Sequence, residues 1–337
     1  MVDLTPLAAA PRLLIEAALT PVQTDRFQPT GFPDLGAATY TLADGTEMIL
    51  VESAQSMANR AETTCWDASA GTLVPALDGL PYIHVDIADG GEIIARTSSV
   101  LEAHRLNSPY VLEGKLGDRL FKDILLDAVG FRPNLPTDFA RFVATVFKLD
   151  PCSLLHGLFM AQLDDPRLRF ARVMSSFIEA RGARAAQSGG VKNDRINPSA
   201  DTSRGFGNVP FARTEYTAAR IDAFLNLDLR QLRAFALPPE ARRLLELLAV
   251  YKFQKLLRDN LRLRTACDLE VKEVRVTAPE GFVLPAIADL EAALGPAIAA
   301  CKPLFADPPV TRLVFGKTEA SGKVSKKAAK SKAEADK

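Results

Sequence analysis

Between residues 167 and 264 the chain carries 19 lysines and arginines against 9 aspartates and glutamates, and 16 of the 19 are arginines. A guanidinium pairs bidentately with phosphate and stacks on planar bases, so this composition suits a nucleic-acid footprint. Gly182, Gly189, Gly190, Gly205 and Gly207 punctuate a stretch in which Arg184, Lys192, Arg195, Arg204 and Arg213 are separated by small polar residues. Apolar periodicity is missing there, so residues 182–212 read as a mobile basic loop. An ordinary solvated surface loop has the same composition and is the plainer alternative.

Groups for bond-making chemistry are scarce. The chain has three histidines: His84 in an alternating stretch, His104 beside Arg105, and His156 in an apolar run. Each is explained more simply as a structural histidine. There is no His-Glu-x-x-His zinc motif and no Gly-x-Ser-x-Gly elbow. Gly205-Phe206-Gly207 lacks the third glycine of a dinucleotide fingerprint, and Gly316-Lys317-Thr318 has Thr311 where a phosphate loop needs its first glycine. Asp164-Asp165 before Pro166 reads as a turn. Catalytic residues, a metal site and a cofactor are therefore not expected, and binding is favoured over catalysis.

The elements that would position the basic stretch follow from pattern. Residues 12–20 are cut short by Pro21 and read as a buried first strand. Two prolines and a glycine make residues 26–34 an irregular loop. Residues 49–63 read as a helix whose polar side carries Glu52, Ser56, Asn59 and Thr63, with Gln55 and Arg60 beside them. Residues 82–87 alternate as a half-buried strand with His84 and Asp86 on the polar side, and Ser98 or Ser99 can cap a helix running toward Asn107. Residues 170–181 and 214–229 read as strands entering and leaving the basic loop. Residues 239–258 form a helix with Ala241, Leu244, Leu245, Leu248 and Tyr251 on one side, and 269–276 a strand. Strands and helices mix without a regular alternation, which gives an α+β class.

With 337 residues, of which 47% are hydrophobic and 24% charged, the chain has the composition of a globular protein with a large core. Residues 1–120 hold 7 basic and 16 acidic residues, the reverse of the middle segment, a polarity that suits an anion partner or head-to-tail self-association. Cys65, Cys152, Cys267 and Cys301 are widely spaced and read as reduced, buried thiols. No apolar run approaches a membrane span and the N-terminus lacks a basic signal region, so a cytoplasmic protein is expected. From residue 317 the chain has 7 basic and 3 acidic residues among Ala and Ser, and reads as a disordered basic tail.

Seven stretches in order resemble one family. They are Arg26-Phe27-Gln28-Pro29-Thr30-Gly31-Phe32-Pro33-Asp34, Glu52-Ser53-Ala54-Gln55-Ser56-Met57-Ala58-Asn59-Arg60 and Thr97-Ser98-Ser99-Val100-Leu101-Glu102-Ala103-His104-Arg105. Asp150-Pro151-Cys152-Ser153-Leu154-Leu155-His156-Gly157, Gly189-Gly190-Val191-Lys192-Asn193-Asp194, Gly205-Phe206-Gly207-Asn208-Val209-Pro210-Phe211 and Leu261-Arg262-Leu263-Arg264-Thr265-Ala266-Cys267-Asp268 complete the set. The chain resembles the RAMP-superfamily backbone subunit of the type I-U (I-G) CRISPR surveillance complex, Cascade. The likeness spans about residues 12–285 and leaves out the basic tail.

That resemblance implies an RNA-recognition-motif-like (ferredoxin-like) core with long insertions, forming one hand-shaped RNA-binding domain over residues 1–316. It implies a non-catalytic subunit that oligomerises along a CRISPR guide RNA. Its partners would be that RNA, target nucleic acid through guide pairing, other copies of itself and other Cascade subunits, with no membrane. In such a division of labour pairing reads the sequence while the protein holds phosphate and ribose. The RNA-binding residues expected are Gln28, Ser53, Gln55, Ser56, Asn59, Arg60, Lys192, Asn193, Arg195 and Arg204. Arg262 and Arg264 could hold RNA or pair with carboxylates such as Asp268. Two alternatives stay open: a metal-dependent endoribonuclease acting through a loop aspartate, Asp194 or Asp201, and an assembly protein whose positive patch binds an acidic partner.

Overall fold

The computed structural model describes residues 2–32, 34–163, 168–199 and 201–316. The acidic pair Asp164-Asp165 and the basic tail lie outside the described residues. The strands that organise the fold are β1 (Arg12–Pro21), β2 (Thr39–Thr41), β3 (Glu47–Glu52), β4 (Tyr82–Asp89), β5 (Glu92–Ser98) and β6 (Met174–Arg181). After them come β7 (Arg184–Lys192), β8 (Val209–Thr217), β9 (Arg220–Asp228), β10 (Arg262–Arg264), β11 (Cys267–Ala278) and β12 (Val310–Gly316). The principal helices are α1 (Ala54–Thr63), α2 (Pro151–His156), α3 (Pro239–Asp259) and α4 (Ile287–Cys301).

The stretch at 12–20 is strand, and a central one. Leu13, Ile15, Ala17 and Leu19 alternate into the core while Leu14, Glu16 and Ala18 face the other side. It pairs antiparallel with β9 on one edge and β11 on the other. The seven-stranded sheet has the order β10-β11-β1-β9-β6-β3-β2, with every pairing antiparallel. Its four central strands thus stand in the spatial order fourth, first, third, second of their chain order, with α1 between the first two and α3 between the last two. A second sheet, of five strands, brings β12 parallel to β4, with β5 on the edge. The class is mixed α and β, as the patterning predicts.

Several boundaries differ from the sequence reading for physical reasons. The expected helix at 49–63 begins only at Ala54, because Ile49, Leu50 and Val51 are better strand formers and Ser53 caps the helix. Residues 98–108 make turns and a short 3₁₀ segment, Arg105–Asn107, in place of a helix; Arg105 stands at φ 52°, outside the helical region. His84, expected on a polar face, is buried, because both faces of β4 are covered over Tyr82–Val85, where four successive side chains are enclosed. Helix α3 buries more than one side: Leu247 and Val250 are as enclosed as Leu244 and Leu248, which marks a core helix.

The segment expected as a basic loop contains a ladder. Strands β7 and β8 pair antiparallel from Arg184↔Thr217 to Lys192↔Val209, and they pair with no other sheet. Both faces of this hairpin are largely exposed, so selection imposes no apolar alternation and the strand signal is absent from the sequence. All four cysteines are buried and unbridged. Among the described residues no helix is long and apolar enough to cross a membrane.

Gly189 shows how tightly the hairpin is drawn. A Cβ there would lie 2.4 Å from the carbonyl oxygen of Phe211 and 3.2 Å from the Cα of Ala212. Gly189→Val is expected to open the ladder locally while moving global stability by no more than about 0.5 kcal/mol, since β7 and β8 support no other strand. Amide hydrogen exchange would show protection lost between residues 184 and 217 with the urea midpoint little changed.

Candidate nucleic-acid interface

Glu52 ends β3 and is buried, and it sits among arginines. It accepts from Arg264 Nη2 at 2.5 Å and lies 3.5 Å from Arg60 Nη2. Arg264 Nη1 also donates to the carbonyls of Gln28 (2.7 Å) and Val51 (3.2 Å). Arg60 donates to the carbonyls of Leu263 (2.5 Å) and Arg262 (3.3 Å). This latch ties together the loop at 26–30, the end of β3 with the last turn of α1, and β10, three stretches far apart in sequence. Arg264 therefore pairs with Glu52, not Asp268, and Arg60 is largely occupied inside the fold. Gln28 contributes its backbone to the latch.

Beyond the latch, α1 presents the other polar residues. The Oγ of Ser53 accepts from the Ser56 backbone N–H at 3.3 Å, the N-cap bond. Gln55 is exposed and Asn59 half-buried, one turn apart, and both line a cleft of about 650 Å³ walled by residues 103–109, 156–162, Phe170 and Arg172. Arg172 crosses it, donating from Nη2 to Gln55 Oε1 at 2.6 Å and from Nε to the His156 carbonyl at 3.3 Å. Burial, and then repulsion from Arg105, lower the pKa of the Arg172 guanidinium. Its cation has no carboxylate partner among the described residues.

Under this cleft lies a buried ionic network. Arg105 grips Glu62 of α1 with two bonds of 2.7 Å, and Lys252 of α3, 0% exposed, reaches His156 Nε2 of α2 at 2.8 Å. Burial, reinforced by Lys252, Arg105 and Arg172, holds the His156 pKa well below its usual 6.5. The imidazole is therefore neutral and accepts from the Lys252 ammonium. An unfolded chain takes up a proton at this histidine below pH 6.5 and the folded one does not, so stability from this group is present above that pH and lost as pH falls. Glu62, which burial pushes up to about 7 against Arg105 and Lys252, acts in the opposite sense between 4.5 and 7. Relative to His156→Gln, which keeps an acceptor for Lys252, the native chain is expected to lose up to about 1.4 kcal/mol per pH unit below 6.5. Urea unfolding of both at several pH values measures it.

On the far side of the latch a smaller cleft of about 440 Å³ is lined by Arg26, Arg213 and Arg262. The carboxylate of Glu215, buried at its floor, holds Arg213 at 2.8 Å and Arg26 at 3.4 Å. The arm formed by β7 and β8 rises from here, rooted by a backbone bridge between Phe27 and Tyr216. At its tip Lys192, Asn193, Arg195 and Arg204 are exposed, with Ile196 97% exposed among them. Lys192 Nζ donates to the Gly205 carbonyl at 2.5 Å, and the Arg204 guanidinium lies 5.9 Å from the Phe206 ring centre. Asp194 accepts from the backbone N–H groups of Ile196, Asn197 and Gly207 at 2.9 to 3.1 Å, bonds that lower its pKa.

The ten expected residues thus fall into two groups, one on the latch and α1, the other at the arm tip, joined through the cleft at the arm's root. Much of the arginine excess is spent internally. Arg181, Arg220 and Arg258 pair with Asp44, Asp222 and Asp259, while Arg233 and Arg243 hold backbone carbonyls. Arg172 was not among the expected contacts, and its only sequence signal is a cation just before the strand Met174–Arg181.

The sequence pattern of one protein family, CRISPR-associated protein GSU0053, matches residues 13–185. No curated protein matches the chain. Among solved structures the chain is similar to one chain of a CRISPR RNA-guided surveillance complex, pre-nicking, with 13% identity over 87% of this chain and 86% of that one, at a TM-score of 0.41. It is also similar to Csc2 of Thermofilum pendens, with 9% identity over 90% and 81% of the two chains and a TM-score of 0.31. Both structural likenesses are distant.

Proposed function

The chain belongs to the family of CRISPR-associated protein GSU0053, and from that premise we propose that it is a non-catalytic backbone subunit of a type I-U Cascade, binding guide RNA and repeating along it. The observation that carries this reading is a donor-lined surface in two clefts, one with Gln55, Asn59 and Arg172 and the other, at the root of the arm, with Arg26, Arg213 and Arg262, where Arg26 and Arg213 share the single carboxylate of Glu215 and so leave an excess of positive charge. Cations and amides interleave along it, which suits phosphate and ribose and leaves base edges to pair with a target. The strand order fourth, first, third, second, with helices in the two crossovers, supports an RNA-recognition-motif-like (ferredoxin-like) core within a single domain over residues 1–316, and the arm as one of its insertions. The acidic first third and basic middle of the chain support head-to-tail contact between copies.

Cleavage through Asp194 is disfavoured. Its carboxylate accepts from three backbone amides that shape the arm tip, which gives it a structural role there. The test is to purify the chain expressed with and without its guide locus, extract and sequence the RNA, and measure particle mass. Short repeat-spacer RNAs in a multi-copy particle are expected; an RNA-free particle, even when the other subunits are coexpressed, would overturn the reading.

A further inference from the structure

The geometry points to the cleft at Arg172 as a ribonucleotide-binding site, with one RNA phosphate on Arg172 and the adjoining 2′-hydroxyl on Asn59, so that this site makes the bound strand RNA and not DNA. The inference rests on the guide-binding reading and deepens it by naming what one subsite recognises. Three features of the cleft carry it.

Arg172 is half-buried, and its two bonds among the described residues run to neutral acceptors, Gln55 Oε1 and the His156 carbonyl. Those bonds aim the guanidinium, and among the described residues no carboxylate compensates its charge. Burial, and then Arg105 behind it, lower the pKa of this cation against the opposing pull of Glu62, a cost that a bound anion would offset. A phosphodiester supplies one with geometry matched to a guanidinium.

The neighbouring groups are amides, not further charges. Gln55 uses Oε1 to hold Arg172, and Asn107 uses Oδ1 to accept from the Gln162 backbone N–H at 3.1 Å. In both cases the acceptor end is committed, and no bond from the NH₂ end is found among the described residues. Asn59 Oδ1 lies in the wall, closed off from bulk water and without a partner among the described residues. An unmet acceptor in such a place is stabilised by a hydroxyl delivered at close range. A 2′-hydroxyl both donates and accepts, so Asn59 Oδ1 can take its proton while a neighbouring amide donates to its oxygen. A 2′-deoxy sugar leaves Asn59 unmet.

The volume is the third feature. About 650 Å³ is far more than a lone inorganic phosphate fills, and the exposed ring of Phe159 on the rim gives a sugar or base an apolar surface. The floor is fixed by the Arg105–Glu62 pair and the Lys252–His156 bond, so the cleft does not have to be assembled on binding.

The experiment measures binding of a guide-length RNA and its all-2′-deoxy counterpart to the assembled subunit across a salt series, for the native chain, Arg172→Gln and Asn59→Ala. Urea midpoints check that each variant folds. Arg172→Gln is expected to weaken both strands about fourfold at 0.15 M salt and to reduce the salt slope by about 0.7, one phosphate contact on a single strand. Asn59→Ala is expected to weaken RNA about fivefold, leave the deoxy strand unchanged and leave the salt slope unchanged. Native-like binding of RNA by both variants overturns the site while leaving the guide-binding reading standing. Equal weakening of both strands by Asn59→Ala overturns the sugar recognition. A native chain that holds no RNA, even when the other subunits are coexpressed, fails at the earlier step, and that result is separate from either variant.

Discussion

Replacing Glu62 by alanine is expected to destabilise the protein by about 3–5 kcal/mol, the largest single-residue effect anticipated outside the apolar core. Glu62 is 2% exposed and Arg105 4% exposed, and their pairing is bidentate at 2.7 Å on both arms. Removing the carboxylate leaves a guanidinium buried without its partner, with Lys252 near it and, among the described residues, no carboxylate bonded to either. Glu62→Gln keeps one acceptor and should lose less. Replacing both Glu62 and Arg105 by methionine should recover much of the loss, because a buried ion pair contributes little over an apolar pair of similar size. Urea unfolding of the three variants decides it; a loss under about 1 kcal/mol for Glu62→Ala would mean that water reaches the pair.

The second large effect is on RNA. Alanine at Lys192, Asn193 and Arg195 together is expected to weaken guide retention about tenfold at 0.15 M salt and to flatten the salt slope by about 1.4, two phosphate contacts on a single strand. These residues are exposed at the arm tip, and among the described residues only the Lys192 side chain bonds within the fold, to the Gly205 carbonyl. Asp194 keeps its three backbone bonds in the variant, so the tip retains its shape and the loss reports on charge. Filter binding across a salt series measures both quantities. An unchanged affinity would remove the arm tip from the interface.

Parts of this architecture were legible in the sequence because local pattern and tertiary role agree. The short apolar run at 12–20, ended by Pro21, reads as a strand, and β1 is a central one. The apolar run at 239–258 predicts a helix, and α3 is the core helix. The polar face at Gln55 and Asn59 was visible as spacing, and the two residues do share a cleft. Where local signal is silent or ambiguous, the reading fails. The hairpin β7–β8 has exposed faces and leaves no periodic trace, and the strand that ends at Glu52 was absorbed into the helix that follows it.

By itself, then, the sequence determined the α+β class, the central strand and core helix, the polar face of α1 and an arginine-rich middle; these depend on residues close in the chain, whose periodicity and composition survive without coordinates. Only the tertiary structure decided which arginines remain available. Arg60 and Arg264 close on Glu52, Arg213 and Arg26 on Glu215, Arg105 on Glu62, whereas Arg172 is left facing a cleft with neutral partners. A guanidinium acts by whichever anion or carbonyl reaches it within about 3 Å, and for these residues those partners come from 2 to 212 positions away. Composition counts charges; packing settles which of them are spent.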